Sequence, residues 1–397
     1  MKLGFLSPAL RRCGGIERVP VTEARLLEER GYDVTLVPSF YEKGCYPDVL
    51  RGSGVRLKYI DLPLPILRVT VNSTLSTFIS HSRLKGCEVF VSHSLSTAYR
   101  ARSKLGIPYV LYVHTVPWHP RRSKAEEVDR YFKRAVMIPA DLVHLWFKPI
   151  TGEWESLAIR EASRILVNSR NTGEQLAEST GRRDYEVCYP AVDLKLAAER
   201  DSGQELLLKQ RFGLGENVIL SVSRHNPKKC LHWLPQILRL IRRDVPDVKL
   251  TITGARTPHT SLIDEAIRRW GTRENVILTG ELSERELYSL YHISRVLCFP
   301  SVREDFGLPI VEAMASGCVP VAWSDNSGPS ELIEDGVDGY LCEPYNPVEM
   351  ASRTALLLQD ASMRRRISER AVEKGRMFNW KTHADILEKA VVGVGRR

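Results

Sequence analysis

Two carboxylates, Glu304 and Glu312, bracket the segment Glu-Asp-Phe-Gly-Leu-Pro-Ile-Val-Glu, and the residues on either side decide what they can do. A strand-like run, Arg295–Phe299, leads through Pro300 and Ser301 into a loop holding Gly307. Leu308–Ser316 then carries apolar residues at helical spacing, with Gly317 placed as the stop. A strand, a glycine loop and a helix start form an anion-binding geometry, because the first helical turn has unpaired N–H groups and the positive end of the macrodipole. Gly307 allows close backbone approach, with Phe306 and Leu308 flanking it. Glu304 is expected in the loop, facing a ligand, and Glu312 one turn inside the helix, where it can accept hydrogen bonds from sugar hydroxyls. Taken singly, the two read first as a loop acid and a surface glutamate on an amphipathic helix.

Four further groups stand at strand ends. Arg224 and Lys229, five apart in Ser-Arg-His-Asn-Pro-Lys-Lys, could neutralise a leaving diphosphate from two directions, or form a solvated basic turn. The Arg-Cys-Gly-Gly-Ile-Glu-Arg segment that contains Gly15 permits a tight turn between a first strand and a first helix. His114 closes the strand Tyr109–Val113, a place that faces a ligand crevice or holds a structural histidine; His93 is a weaker candidate of the same kind. Gly254 and Gly280-Glu281 close two more strands.

The elements that must position these groups alternate as in doubly wound α/β domains. Strands are expected at Lys2–Leu6, Asp33–Val37, Glu88–Ser92, Tyr109–Val113, Ile165–Asn168 and Glu186–Tyr189. A second series follows at Val218–Val222, Lys249–Thr253, Asn275–Leu278, Arg295–Phe299, Val319–Trp323 and Tyr340–Cys342. Polar residues without a steady period from Lys195 to Gly215 read as a linker. The chain of 397 residues thus divides into domains at 1–194 and 195–375, with a terminal segment 376–397. Hydrophobic content of 43% and charged content of 26% are those of a globular protein. A net charge of +9 favours anionic partners, yet no nucleic-acid-binding pattern appears, so nucleic acid is not expected. Eight scattered cysteines without a Cys-x-x-Cys pair read as reduced core residues in a cytoplasmic setting. No run of about 18 apolar residues occurs, so any membrane contact is expected to be peripheral.

The stretch Phe299–Pro344 closely resembles the donor-binding core of retaining glycosyltransferase family 4. The match runs through Pro300-Ser301, Phe306-Gly307-Leu308, Glu312-Ala-Met-Ala-Ser-Gly317, Pro320-Val321, Gly328, Glu331 and Asp335-Gly336. Arg224 and Lys229 resemble the family's Arg-x-x-x-x-Lys signature, with Ser223 and Cys230 where glycines are usual. The resemblance implies a GT-B fold, two Rossmann-like domains facing across a cleft, with the terminal helix returning to the N-terminal domain. It also implies that Gly15 approaches the donor diphosphate and that His114 contacts the donor sugar. Gly254 and Glu281 would line the base pocket, Glu304 would hold sugar hydroxyls, and Glu312 would bind the ribose.

The expected activity is therefore retaining hexosyl transfer from a nucleotide sugar, with Arg224 and Lys229 in place of a metal, since no Asp-x-Asp occurs. No cofactor or metal is expected. The Ser-Arg-His-Asn-Pro-Lys-Lys and Tyr-Val-His-Thr-Val-Pro segments look most like α-mannosyltransferases, which makes GDP-mannose the expected donor and a UDP-sugar the alternative. A glycoside hydrolase needs two carboxylates but no phosphate apparatus, and a silent binding protein would not need this full set. The acceptor expected is a glycan or polyprenyl-linked sugar. Basic residues from Arg121 to Arg134 beside the Met/Trp/Phe-rich run up to Phe147 suit such an acceptor, or the cytoplasmic face of a membrane, or a plain core segment.

Overall fold

Short aliphatic runs such as Val-Phe-Val-Ser and Tyr-Val-Leu-Tyr-Val are buried along their whole length, as strands covered by helices on both faces must be. The computed structural model describes residues 1–11, 15–46, 50, 52–61, 68–116 and 152–395. Among these the chain forms two compact units, one running to Ala191 and resuming at Trp380, the other spanning Val192–Asn379.

The first unit carries seven strands: β1 (Lys2–Ser7), β2 (Asp33–Pro38), β3 (Arg56–Leu57), β4 (Val89–Ser92), β5 (Tyr109–Val113), β6 (Arg164–Val167) and β7 (Tyr185–Val187). They lie in the order β3-β2-β1-β4-β5-β6-β7, with every pairing parallel. The order reverses between β1 and β4, the switch point at whose carboxyl edge ligands bind in such sheets. Helix Gly15–Glu29 follows β1, and the C-terminal helix Trp380–Gly395 covers the same sheet, contributing Leu387, Val391 and Val394 to its core.

The second unit has six strands, β8 (Val218–Val222), β9 (Lys249–Thr253), β10 (Val276–Gly280), β11 (Val296–Phe299), β12 (Val319–Trp323) and β13 (Tyr340–Cys342). Their order is β10-β9-β8-β11-β12-β13, again all parallel, with the switch point between β8 and β11. Both sheets are thus of the Rossmann type, and the architecture is that of GT-B.

The expected linker differs from what is found. Residues Leu194–Ala198 and Ser202–Phe212 are helical, capped by the Asp193 and Asp201 carboxylates and, for the second, ended by Gly213 at φ 62°. Leu206 and Leu207 remain exposed on that helix, which is why no apolar period marked it. Some elements were not foreseen, among them the short helix Gly328–Leu332. The edge strand β3 has only two residues, and Ala361–Gly375, rich in Arg and Glu, is a helix that buries only small or single apolar residues such as Ile367, Ala371 and Gly375. The seven described cysteines are free, and all but Cys87 are buried.

Candidate functional site

At the second unit's switch point the loops after β8 and β11 meet, and the Lys229–Glu304 ion pair is their closest charged contact. Lys229 ends a single 3-10 turn, Pro227–Lys229, which the Asn226 side chain caps by accepting the Lys228 amide. Its Nζ lies 2.5 Å from Glu304 Oε2, which also accepts from Ser301 Oγ at 2.6 Å. Burial by itself would raise the Glu304 pKa, but the Lys229 charge and these two hydrogen bonds hold it down to about 2. Glu304 is therefore a carboxylate at neutral pH, pressed against an ammonium group. Lys228 lies farther off, 4.0 Å from Asp305. Arg224 is exposed on the same loop as Lys229.

Glycines set the approach of these loops. Gly254 follows β9 at φ 137°, and a Cβ built there would lie 2.0 Å from the Ser223 carbonyl oxygen, so the Ser223–Arg224 peptide packs directly on it. The amides of Ser223 and His225 donate to Thr253 and Ala255 at 3.0 and 3.1 Å, which fixes the Arg224 loop onto β9's end. Gly328 plays the same part for the other loop: its amide donates to Glu304 O at 2.7 Å, and a Cβ would lie 2.2 Å from Phe306 O. Gly280 ends β10 at φ 76°, and Glu281 beside it is exposed.

Gly307 is the N-cap of helix Leu308–Ala315, left-handed at φ 104° and without a side-chain cap. Pro309 has no N–H and the Ile310 amide donates to Gly307 O at 2.8 Å, so the Gly307 and Leu308 amides are the donors this cradle can offer. Phe306 is buried against Phe378, their ring centroids 5.9 Å apart, while Leu308 is half-buried. Glu312 is buried in that helix, and its Oε2 accepts from the Tyr291 hydroxyl at 2.9 Å. Burial and this carboxylate push the Tyr291 pKa well above its ordinary value, so the hydroxyl remains a donor. Sequence reading missed both Tyr291 and the half-buried Asp325, which accepts from the Arg303 amide at 2.7 Å and from the Ser327 hydroxyl. Among the described residues no group of three or more His, Cys, Asp or Glu side chains could hold a metal ion.

The remaining predicted residues lie in the first unit. Gly15 opens its helix and is exposed. His114 follows β5; Asn168 Nδ2 donates to its carbonyl at 2.9 Å, and its Nε2 lies 2.9 Å from His93 Nδ1. Burial pushes its pKa down to about 3, so the imidazole is neutral. Behind His93 stand Glu23 and His383, neither foreseen. The available signal was positional: Glu23 interrupts the buried i,i+4 stripe Val19-Glu23-Leu27, and His383 precedes Leu387 and Val391 on the buried face of its helix. The expected acceptor and membrane segment, Arg121 to Phe147, lies outside the described residues. Among those described, no helix is long and apolar enough to cross a membrane.

Comparison with known proteins now attaches to this geometry. Residues 13–196 match the model for Glycosyltransferase Family 4, and residues 204–374 that for Glycosyl transferases group 1. The alpha-D-kanosaminyltransferase of Streptomyces kanamyceticus is 26% identical over 67% of this chain and 65% of its own length. A D-inositol 3-phosphate glycosyltransferase of Nocardia farcinica is 29% identical over 59% of this chain and 53% of its own. The match thus spans between about half and two thirds of these relatives. The solved structure of Anabaena Alr3699/HepE in complex with UDP-glucose superposes with a TM-score of 0.77 at 20% identity, covering 99% of this chain and all of that one. This likeness concerns the fold.

Proposed function

Because the chain belongs to the GT-B glycosyltransferases, a Family 4 half joined to a group 1 half, we propose that it transfers a hexose, with retention, from a nucleoside diphosphate sugar to a hydroxyl acceptor. The Lys229–Glu304 pair at the β8/β11 switch point is the observation that carries this reading. Lys229, Arg224 and the Gly307 and Leu308 amides supply positive charge where a diphosphate leaves, so no metal is needed. Glu304, kept ionised by its ammonium partner, holds sugar hydroxyls and stabilises positive charge developing on the sugar ring. Glu312 holds the ribose, Gly254 and Glu281 border the base, and Gly15 and His114 contribute from the first unit. The leaving phosphate takes the acceptor's proton as the new glycosidic bond forms on the same face.

GDP-mannose is the donor favoured by the Ser-Arg-His-Asn-Pro-Lys-Lys segment. A UDP-sugar is the second reading, supported by the UDP and UDP-glucose carried by the Anabaena protein. The acceptor proposed is a glycan or polyprenyl-linked sugar met at the cytoplasmic face of a membrane, on the strength of the basic and aromatic residues from Arg121 to Phe147. Thermal shift against GDP, UDP, ADP and their sugar conjugates tests the donor, since a ligand at 100 times its Kd adds about 2.7 kcal/mol to stability. One base should raise Tm well above the others; no response to any nucleotide would remove the proposal.

A further inference from the structure

A line of buried polar groups crosses the core of the first unit, and transfer chemistry as described above leaves most of it unused. It joins four elements: Glu23 on helix Gly15–Glu29, His93 after β4, His114 after β5 and His383 on the C-terminal helix. The side chains of Glu23 and His93 have no exposed surface. Glu23 Oε2 lies 2.7 Å from His93 Nε2, and Oε1 lies 2.7 Å from His383 Nε2. His93 Nδ1 is 2.9 Å from His114 Nε2, and His383 Nδ1 is 2.7 Å from the Tyr189 carbonyl oxygen. The Tyr112 ring packs against His93 and His114 at centroid distances of 4.9 and 4.7 Å, closing the line from the side.

These contacts fix where the protons reside. A carbonyl oxygen and an ionised carboxylate only accept, so both ring nitrogens of His383 must donate and its imidazole carries a full positive charge. Burial works against that charge, but the Cys188 sulfur and the Glu23 carboxylate outweigh it and push the His383 pKa well above the ordinary value. The single negative charge of Glu23, whose pKa is held down to about 2 against burial by the two histidines, is thereby balanced. Glu23 Oε2 then takes the Nε2–H of His93. A second imidazolium would have no carboxylate of its own among the described residues and would carry a steep desolvation cost. With the Glu23 charge matched by His383, no second charge is needed if His93 Nδ1 accepts the hydrogen bond that His114 Nε2 donates, and the proton between the two rings is assigned to His114 Nε2. The other nitrogen of His114, Nδ1, is left as an acceptor, and among the described residues nothing donates to it.

We propose that His383, Glu23 and His93 are positioning residues that lock His114 in the Nε2–H tautomer, so that its Nδ1 can only accept a hydrogen bond, from a hydroxyl of the bound donor sugar. The second half of this statement rests on the donor-contacting role given to His114 above; the first half stands on the geometry alone. A free imidazole interconverts its tautomers and would spend part of its time offering an N–H to a hydroxyl; the locked ring offers one lone pair in one direction.

The test uses the full chain labelled with nitrogen-15 in histidine. Long-range proton–nitrogen correlations report which ring nitrogen is protonated, and the His114 signals are those lost in His114→Gln. Wild type should show His114 as the Nε2–H tautomer throughout the range of about pH 5 to 8 in which ordinary histidines titrate. His93→Phe keeps the ring volume but removes the acceptor: His114 should then populate both tautomers, and kcat/KM should fall about tenfold. His93→Gln places an amide oxygen toward His114 and an amide N–H toward Glu23, so it should restore both the tautomer and most of the rate. A role in packing alone would make the phenylalanine variant the better enzyme. An Nδ1–H or charged His114 in wild type overturns the proposal, as does a glutamine variant no better than phenylalanine in tautomer. Should the phenylalanine variant not fold, the wild-type and glutamine spectra decide. If no donor supports transfer by wild type, the proposed function fails, while the tautomer spectra still judge the lock.

Discussion

Replacing Lys229 by alanine tests both the stability and the chemistry ascribed to the β8/β11 switch point. With the ammonium gone, Glu304 keeps the Ser301 hydroxyl but loses the charge that offsets its burial; its side chain is only 15% exposed. A carboxyl held at about 2 rather than 4.5 corresponds to roughly 3 kcal/mol of preference for the ionised form, at about 1.4 kcal/mol per pH unit. Because this pKa is depressed on folding, the contribution is present above about pH 4.5 and is lost as pH falls toward 2. Denaturant titrations of wild type should therefore lose stability across that interval, and Lys229→Ala should lack much of this acid-side loss while being about 2–3 kcal/mol less stable at pH 7. In a double-mutant cycle with Glu304→Gln the coupling energy should reach about 2 kcal/mol. Transfer, measured as nucleoside diphosphate released in the presence of acceptor, should drop by about 100- to 1000-fold in kcat. A coupling below about 0.5 kcal/mol together with near-normal turnover would refute the argument that this pair forms the electrostatic centre of the site.

Other consequences are separable from it. Gly254→Ala, whose methyl group would overlap the Ser223 carbonyl, should displace the Arg224 loop, lower Tm by several degrees and weaken nucleotide binding measured by calorimetry. Tyr291→Phe removes a donor to the buried Glu312 carboxylate and should cost about 1.5–3 kcal/mol in chemical denaturation, with a raised KM for donor. On the proposal that protein cations act on the leaving diphosphate, saturating EDTA should leave the initial rate within about twofold; full dependence on an added divalent ion would contradict that assignment.

Much of this was legible because it is local. Strands buried on both faces announce themselves as short aliphatic runs, and the Gly307 turn, Lys229 and the two glutamates lie within contiguous motifs. What stayed hidden is carried by pairs distant in sequence. Glu23 and His93 are 70 residues apart and Glu23 and His383 are 360 apart, so no window of sequence joins them. The helix Ser202–Phe212 escaped for the opposite reason: its local pattern is real but consists of an aspartate cap and a glycine stop around residues that leave two leucines in solvent. Periodicity detects burial, and this helix buries little.

The two positions where glycine is replaced show how the loop around Lys229 tolerates its own sequence. Cys230 adopts φ 50°, the left-handed region that favours glycine, at a cost of about 1–2 kcal/mol for a residue with a Cβ. Its side chain is fully buried in the second unit's core, and burial pushes the thiol up to about 12, so it remains a neutral apolar group. The transfer of that side chain out of water is of the same order as the backbone strain and offsets it. Ser223 needs no such compensation, because the room its carbonyl requires is provided from the opposite strand by Gly254. Gly254 is thus the residue that lets the Ser223–Arg224 peptide come so close to the end of β9, and a serine at 223 is compatible with that approach because its own side chain is not what faces the neighbouring strand's backbone there.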